Sequence, residues 1–124
     1  MKTSELIGLP LDWAVFKAGH KGAELHYFVD DPFKKEPWLL INGLCEMPLH
    51  GYTPTADWHQ GGSIIEREKI GIVPSDDDAN VWIGSMLEPE WKFNRTGPTP
   101  LIAAMRCYVA SKLGDEVEIP EELK

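Results

Sequence analysis

The sequence predicts a single α+β domain in which helices pack on one face of a small antiparallel β-sheet. A helix with capping residues at both ends spans 100–113, and a β-hairpin is predicted over 63–86. Two further segments, 24–30 and 38–42, are rich in strand-forming residues and are separated by a turn. A chain of 124 residues is long enough for one domain that buries about two-thirds of its unfolded surface.

The N-terminal segment predicts a short turn followed by a helix. Thr3 or Ser4 can cap a turn that Gly8 ends, and Pro10 suits the first turn of a helix that Gly19 ends. Residues at helical spacing form its apolar stripe: Leu11, Ala14, Val15 and Ala18.

The middle of the chain predicts strands that are connected by loops. After the strands 24–30 and 38–42, residues 43–62 contain several glycines and prolines and are interpreted as a long surface loop. The hairpin then consists of a strand over 63–73, a polar turn and a strand over 81–86. Another loop, EPEWKFNRTGPTP (88–100), leads into the last helix.

The last helix has the clearest boundaries. Thr99 is its cap, Pro100 its first residue, and Gly114 follows its end. Its predicted buried face consists of Leu101, Ile102, Met105, Val109 and Leu113. The acidic tail, 115–124, is predicted to be loosely held.

Composition limits the classes of partner. The net charge is −8, which disfavours a nucleic-acid polymer because phosphates need a basic surface. A small anionic ligand stays possible where arginines gather locally, and so does imitation of nucleic acid by carboxylates. No apolar segment approaches the roughly 20 residues of a membrane span, and MKTSELIGLP lacks the apolar core of a secretory signal.

Metal-binding and catalytic motifs are absent from the sequence. His50 and His59 lie in one predicted loop without the further ligands that a metal site needs. Cys45 and Cys107 form no metal-binding spacing. No nucleophile elbow, P-loop or zinc-protease motif occurs. We therefore predict no catalytic residue, no metal and no cofactor, and favour a protein without enzymatic activity over a weak enzyme.

Three stretches carry a family resemblance: MKTSELIGLPLDWAV, YTPTADWHQGGSIIERE and GPTPLIAAMRCYVASKLGDEV. Together they resemble the NinX-like family of tailed-phage and prophage proteins, which is catalogued as a domain of unknown function. Ser63 stands where a proline is common in that family. The resemblance implies a phage or prophage origin and a location in the cytoplasm of the bacterial host, without implying an activity.

The Gly61-Gly62 pair and the charges after it form the first candidate site. The glycines permit either a tight turn or a concavity of amides that binds an anion. On a strand, Arg67 would share a face with Lys69 and present positive charge, while Glu66 would lie on the opposite face. The alternative is an exposed strand with salt bridges across the sheet.

The start of the last helix forms the second candidate site. Arg95, Thr96 and Thr99 can bind a phosphate there together with the helix dipole, or the threonine can simply cap the helix. Arg106 is included in this site, although a structural ion pair with Glu66 or Glu68 is the alternative.

Aromatic residues in the predicted loops complete the site. Such side chains can stack on a nucleotide base, or they can cover the core from its rim. The full set of predicted ligand-binding residues is Tyr52, Trp58, His59, Gln60, Gly61, Gly62, Glu66, Arg67, Trp91, Arg95, Thr96, Thr99 and Arg106.

Three functions are compatible with these residues. The first is a non-enzymatic phage protein that binds a small phosphorylated ligand, a nucleotide, and so sequesters a host immune signal. The second is an acidic inhibitor that binds a host defence protein, either through an interface or as a nucleic-acid mimic. The third is an accessory growth factor or a weak enzyme. We also expect a homo-oligomer, because the predicted loops expose much apolar surface.

Overall fold

The computed structural model of the protein describes residues 1–33, 36–86 and 93–124, and for Cys45 the backbone only. The helices are α1 (Gly8–Gly19), α2 (Trp58–Glu68) and α3 (Pro100–Leu113). Short 3-10 turns occupy Thr3–Glu5, Leu49–Gly51 and Glu121–Leu123. The strands are β1 (Ala23–His26), β2 (Trp38–Ile41), β3 (Leu44–Pro48), β4 (Gly71–Pro74), β5 (Trp82–Met86) and β6 (Phe93–Gly97).

In the described part of the chain, the strands form two antiparallel sheets of three strands each, ordered β1-β2-β3 and β4-β5-β6. The predicted α+β class is therefore confirmed, with the strands divided between two small sheets. The predicted strands 24–30 and 38–42 correspond to β1 and β2, which pair from Ala23↔Ile41 to His26↔Trp38.

Helix α3 is the centre of the molecule, as predicted. It packs on the β4-β5-β6 sheet and also contacts α1 and α2. The approach to the sheet is close at two glycines: a Cβ atom at Gly84 would lie 2.7 Å from the Ala103 carbonyl oxygen, and one at Gly97 would lie 2.7 Å from the Ala103 nitrogen. Met105 and Val109 are completely buried and join the core beneath α1.

The predicted boundaries of α3 are confirmed. The Thr99 hydroxyl accepts a hydrogen bond from the Ile102 N–H at 3.1 Å. Gly114 follows the last residue with a φ of 89°, which a residue with a side chain rarely adopts. The helix therefore begins and ends at the positions that its capping residues indicate in the sequence.

The prediction of a long loop over 43–62 is wrong. Asn42 and Gly43 have φ angles of 52° and 82°, as a tight hairpin turn requires, so the chain reverses directly from β2 into β3. The same range also contains the Leu49–Gly51 turn and the first residues of α2. The Asn-Gly pair is a local hairpin signal that the interpretation as a loop overlooked.

The prediction of a strand over 63–73 is also wrong, because most of this segment belongs to α2. Asp57 caps the helix, and Lys69 ends it in the left-handed conformation with a φ of 55°. The buried positions Gly61 and Ile64 are three residues apart, a helical and not a strand spacing. The predicted hairpin is confirmed only for its later part, where β4 pairs with β5.

Two further segments differ from expectation. The predicted loop over 88–100 contains β6, which pairs with β5 from Trp82↔Gly97 to Met86↔Phe93. The tail, predicted to be loosely held, contributes Val117, Ile119 and Leu123 to the core. Its backbone is tied to the N-terminus, since the Val117 N–H donates to the Met1 carbonyl at 3.0 Å.

Within the described ranges, no helix combines the length and the apolar character that crossing a bilayer would require.

Candidate functional site

Helix α2 gathers the predicted residues of the Gly-Gly region on its solvent side. Trp58, Gly62 and Glu66 recur at intervals of four residues and therefore form one stripe, and His59 and Arg67 lie beside it. The Trp58 side chain is 56% exposed, and a Cβ atom at Gly62 would meet no atom within 4 Å. We call these five residues the α2 face, which is a convex surface with a large aromatic side chain beside an opening.

The opposite side of α2 is packed closely against the protein. A Cβ atom at Gly61 would lie 2.4 Å from the Pro54 carbonyl oxygen and 2.6 Å from Leu101 Cδ2. The Gly61 N–H donates to the Asp57 carbonyl oxygen at 2.8 Å. The structure therefore places Gly61 in a helix-packing position, and Gly62 alone of the pair opens onto solvent.

Gln60 and Tyr52 stabilise the segment that leads into the N-terminus of α2. The Gln60 amide accepts from the Thr53 N–H at 2.9 Å and donates to the Gly51 carbonyl at 3.1 Å. The Tyr52 ring meets the Phe16 ring edge-on, with 5.4 Å between their centroids. Burial raises the pKa of Tyr52 to about 12. Both side chains hold the loop before α2 in place.

The N-terminus of α2 is closed by a carboxylate of the same chain. Asp57 Oδ1 accepts from the His59 N–H at 2.9 Å, and Asp57 Oδ2 accepts from Gln60 Nε2 at 3.2 Å. A negative group at this end of the helix is favoured by the helix dipole. Asp57 thus occupies the position in which a phosphate would be bound.

Arg67 is engaged with its own chain. Its Nε atom donates to Glu68 Oε2 at 2.9 Å, and Nη2 donates to the Tyr108 hydroxyl at 3.3 Å. The hydrogen bond between Arg67 and Glu68 raises the pKa of the guanidinium and lowers that of the carboxyl. Glu68 also lies 3.5 Å from Lys112 Nζ. The Arg67 side chain nevertheless stays 57% exposed, so part of it is accessible to a partner.

The second group of predicted residues lies on β6 and α3. Arg95 donates to Asp115 Oδ1 at 2.6 Å, and its guanidinium carbon lies 4.5 Å from the centroid of the Phe93 ring. Thr99 acts as the helix cap described above, and the exposed Thr96 is the neighbour of Arg95 on β6. The structure therefore holds Arg95 in an ion pair at the end of α3.

Arg106, predicted as a ligand-binding residue with a carboxylate pair as the alternative, binds backbone carbonyls. Its Nε donates to the Leu6 carbonyl at 2.9 Å and its Nη1 to the Thr96 carbonyl at 3.0 Å. Burial lowers the pKa of this guanidinium. In place of the alternative ion pair with Glu66 or Glu68, the Arg106 side chain links the N-terminal turn to β6.

The predicted ligand-binding residues thus form an α2 group and a β6–α3 group, each with its own partners. Among the clefts that described residues line, four lie elsewhere in the chain, and none of the predicted residues contributes to these four. Trp91 lies outside the described residues.

A buried carboxyl group escaped the sequence analysis. Asp12 in α1 is 3% exposed, and its Oδ1 accepts from the hydroxyl of Thr55 at 2.8 Å and from the N–H of Thr55 at 3.1 Å. Burial raises the pKa of Asp12 to about 6, although both hydrogen bonds act in the opposite direction. The pair attaches α1 to the loop before α2, and its two members are 43 residues apart.

The surroundings of Cys107 disfavour a reactive thiolate. Cys107 is buried in α3, where desolvation raises the pKa of its thiol to about 11, so the nucleophilic thiolate is disfavoured. In the part of the chain that the structure describes, no group of three or more His, Cys, Asp or Glu side chains is placed to hold a metal ion.

Comparison with known protein families identifies the family of this chain. Residues 2–112 match the family described as "Bacteriophage P22, NinX". No curated protein matches the chain. Because the match covers most of its length, the chain belongs to the NinX family of phage proteins, and the resemblance drawn from the sequence is confirmed.

Proposed function

We propose that this member of the NinX family is a non-enzymatic phage protein that binds a host protein in the cytoplasm of the infected bacterium. The observation that carries the proposal is the α2 face, where Trp58 is 56% exposed beside the unfilled space at Gly62. A host defence protein is the partner that the phage setting suggests, and its inhibition is the proposed consequence.

The shape of the α2 face favours a protein partner. Small-molecule sites are concave and enclose most of their ligand, whereas a helix surface is convex and suits a groove on another protein. Trp and Arg are enriched among the residues that dominate protein interfaces. The α2 face supplies Trp58 and the partly exposed Arg67, and Gly62 leaves room for a side chain of the partner.

The charge of the molecule supports a partner with a basic surface. The net charge of −8 creates a field that speeds encounters with positive surfaces and weakens as salt is added. Glu66 on the α2 face is exposed to such a partner. We therefore expect association to slow as the ionic strength rises.

Binding of a nucleotide, with sequestration of a host immune signal, is the competing proposal. A phosphate at Arg67 would compete with Glu68, and one at Arg95 would compete with Asp115. The N-terminal amides of α2 and α3 already donate to Asp57 and Thr99. These contacts give a nucleotide less support than a protein partner.

Affinity capture with matched variants tests the proposal. The immobilised protein is mixed with lysate of the bacterial host, and wild type is compared with Trp58→Ala and with Val73→Ala. Val73 is a second exposed apolar residue, 51% exposed on β4, and serves as the control. We expect Trp58→Ala to weaken capture of one specific host protein at least tenfold, as for a central interface residue, and Val73→Ala to retain it.

A thermal-shift screen with a nucleotide pool separates the two proposals. A bound nucleotide would raise the melting temperature of wild type by mass action. It would raise the melting temperature of Arg67→Ala by a smaller amount. Such a shift, together with equal capture by Trp58→Ala and wild type, would reject the protein partner in favour of the nucleotide.

A further inference from the structure

A groove runs between α1, β1 and the C-terminal tail, on residues that the proposed function does not use. One cleft, of about 410 Å³, is lined by Trp13, Lys17, β1 residues and the tail residues Pro120 and Glu122. A second cleft, of about 250 Å³, has both Leu9 and Leu123 in its lining. The clefts share Tyr27 and Glu122, so we treat them as one surface and call it the tail groove.

The tail groove follows the outer edge of β1. Ala23, Glu24 and Leu25 all line it, although consecutive residues of a strand point to opposite faces of a sheet. A cleft that touches all three therefore lies along the backbone edge. Within the described residues, β2 is the one strand that pairs with β1. The N–H and C=O groups on the other side of β1 are thus directed toward the groove.

The groove combines apolar walls with a negative rim. Leu9, Trp13 and Lys17 recur every four residues and form one side of α1. Tyr27 is 40% exposed and Leu9 44% exposed. Three carboxylates line the combined groove, namely Glu24, Glu36 and Glu122, together with Lys17 and His50. Glu36 is in contact with His50, so the exposed Glu24 and Glu122 carry the negative charge that faces a partner. A segment with apolar and basic side chains complements this surface.

Trp13 adds a donor that has no acceptor among the described residues. Its indole Nε1 is buried and makes no hydrogen bond with any described residue. A buried donor without an acceptor is unfavourable, so a carbonyl oxygen brought to the wall of the groove gains a partner there. Because Nε1 is out of contact with solvent, the wall must shift slightly to admit that oxygen.

From these features we propose that the tail groove binds an extended basic peptide segment of a partner protein, which adds as a strand beside β1. Main-chain hydrogen bonds to the β1 edge supply affinity, as in other cases of strand addition. Lysine or arginine side chains of the segment face Glu24 and Glu122, and its apolar side chains contact Leu9 and Tyr27. This inference uses a different surface from the α2 face and stands independently of it.

A pool of synthetic octapeptides tests the proposal. In the pool, lysine alternates with valine, leucine or threonine, and binding is followed in amide NMR spectra of the full chain. We expect the amide signals of Glu24 and Leu25 and the indole signal of Trp13 to shift. The same pool with glutamate in place of lysine is expected to bind at least tenfold more weakly. Peptides with a methyl group on every second backbone nitrogen are expected not to bind, because they cannot pair with a strand edge.

Matched variants locate the binding charges. The double variant Glu24→Gln with Glu122→Gln is expected to weaken binding about threefold to tenfold, as for two exposed ion pairs. Glu116→Gln with Glu118→Gln changes the net charge equally at residues that line a different cleft, and is expected to leave binding unchanged. Equal weakening in both double variants would overturn the proposal.

Other outcomes would also overturn it. They are the absence of binding by every lysine peptide, undiminished binding of the N-methylated peptides, and signal shifts confined to residues outside the groove. Protection of β1 in a dimer that forms as the protein is concentrated would show that a second copy occupies the groove instead.

Discussion

Asp12 is a carboxyl group whose surroundings favour its neutral form. Its pKa is raised by burial from 3.8 to about 6, and its partner Thr55 lies in a loop far along the chain. The sequence shows an aspartate within an apolar helix but does not show what covers it. Likewise, Arg106 was assigned to a ligand or a carboxylate, whereas its partners are carbonyl groups of Leu6 and Thr96. Such partners depend on tertiary structure and escape local reasoning.

Asp12 gives the protein a defined dependence of stability on pH. Because its folded-state pKa is the higher one, the native state binds more protons between pH 4 and 6, and this contribution to stability is lost as the pH rises through about 6. Asp12→Asn keeps an oxygen acceptor without the charge. We expect its free energy of unfolding relative to wild type to increase by roughly 2–3 kcal/mol between pH 4 and pH 7.

Urea unfolding at the two pH values measures this change. Asp76→Asn, in the exposed turn between β4 and β5, is the control and is expected to show little change relative to wild type. If the free energies of unfolding of Asp12→Asn and wild type differ by the same amount at both pH values, the raised pKa of Asp12 is refuted.

Among the helices and strands, the sequence predicted correctly those boundaries that depend on residues next to them in the chain. Helix α3 was predicted with its boundaries because Thr99, Pro100 and Gly114 act on the helix ends themselves. Helix α2 was missed because a glycine pair followed by two isoleucines is typical of a turn and a strand. A glycine suits position 61 of the helix because a Cβ atom there would clash with Pro54 and Leu101, and this close approach cannot be predicted from the segment alone.

The two glycines of α2 are expected to respond in opposite directions to the same substitution. Gly61→Ala places a methyl group 2.4 Å from the Pro54 oxygen and should destabilise the protein by about 1–3 kcal/mol. Gly62→Ala meets no atom within 4 Å and should stabilise it by about 0.5–1 kcal/mol through helix propensity. Thermal or urea unfolding of both variants provides the measurement. Equal effects would contradict the orientation of α2.

For the molecule as a whole, the sequence predicted the family, the class and part of the surface. Trp58, His59, Gly62, Glu66 and Arg67 were grouped as a site on the assumption of loops and a strand, and they do share one surface, although it is that of a helix. The arginines of β6 and α3 were expected to join them and instead have separate partners. The homo-oligomer stays a prediction, which sedimentation of the purified chain at several concentrations would test.

The most direct test of the central claim is site-specific photo-crosslinking from the α2 face. Benzoylphenylalanine is introduced at Ser63, which is exposed next to Gly62, or at Asp77 in the β4–β5 turn as the control. The protein is expressed and irradiated in bacterial host cells. We predict a crosslink from Ser63 to one host protein, which Trp58→Ala abolishes, and no such product from Asp77. Absence of a product from Ser63, or the same product from both positions, would contradict the proposal that α2 is the surface that binds a host protein.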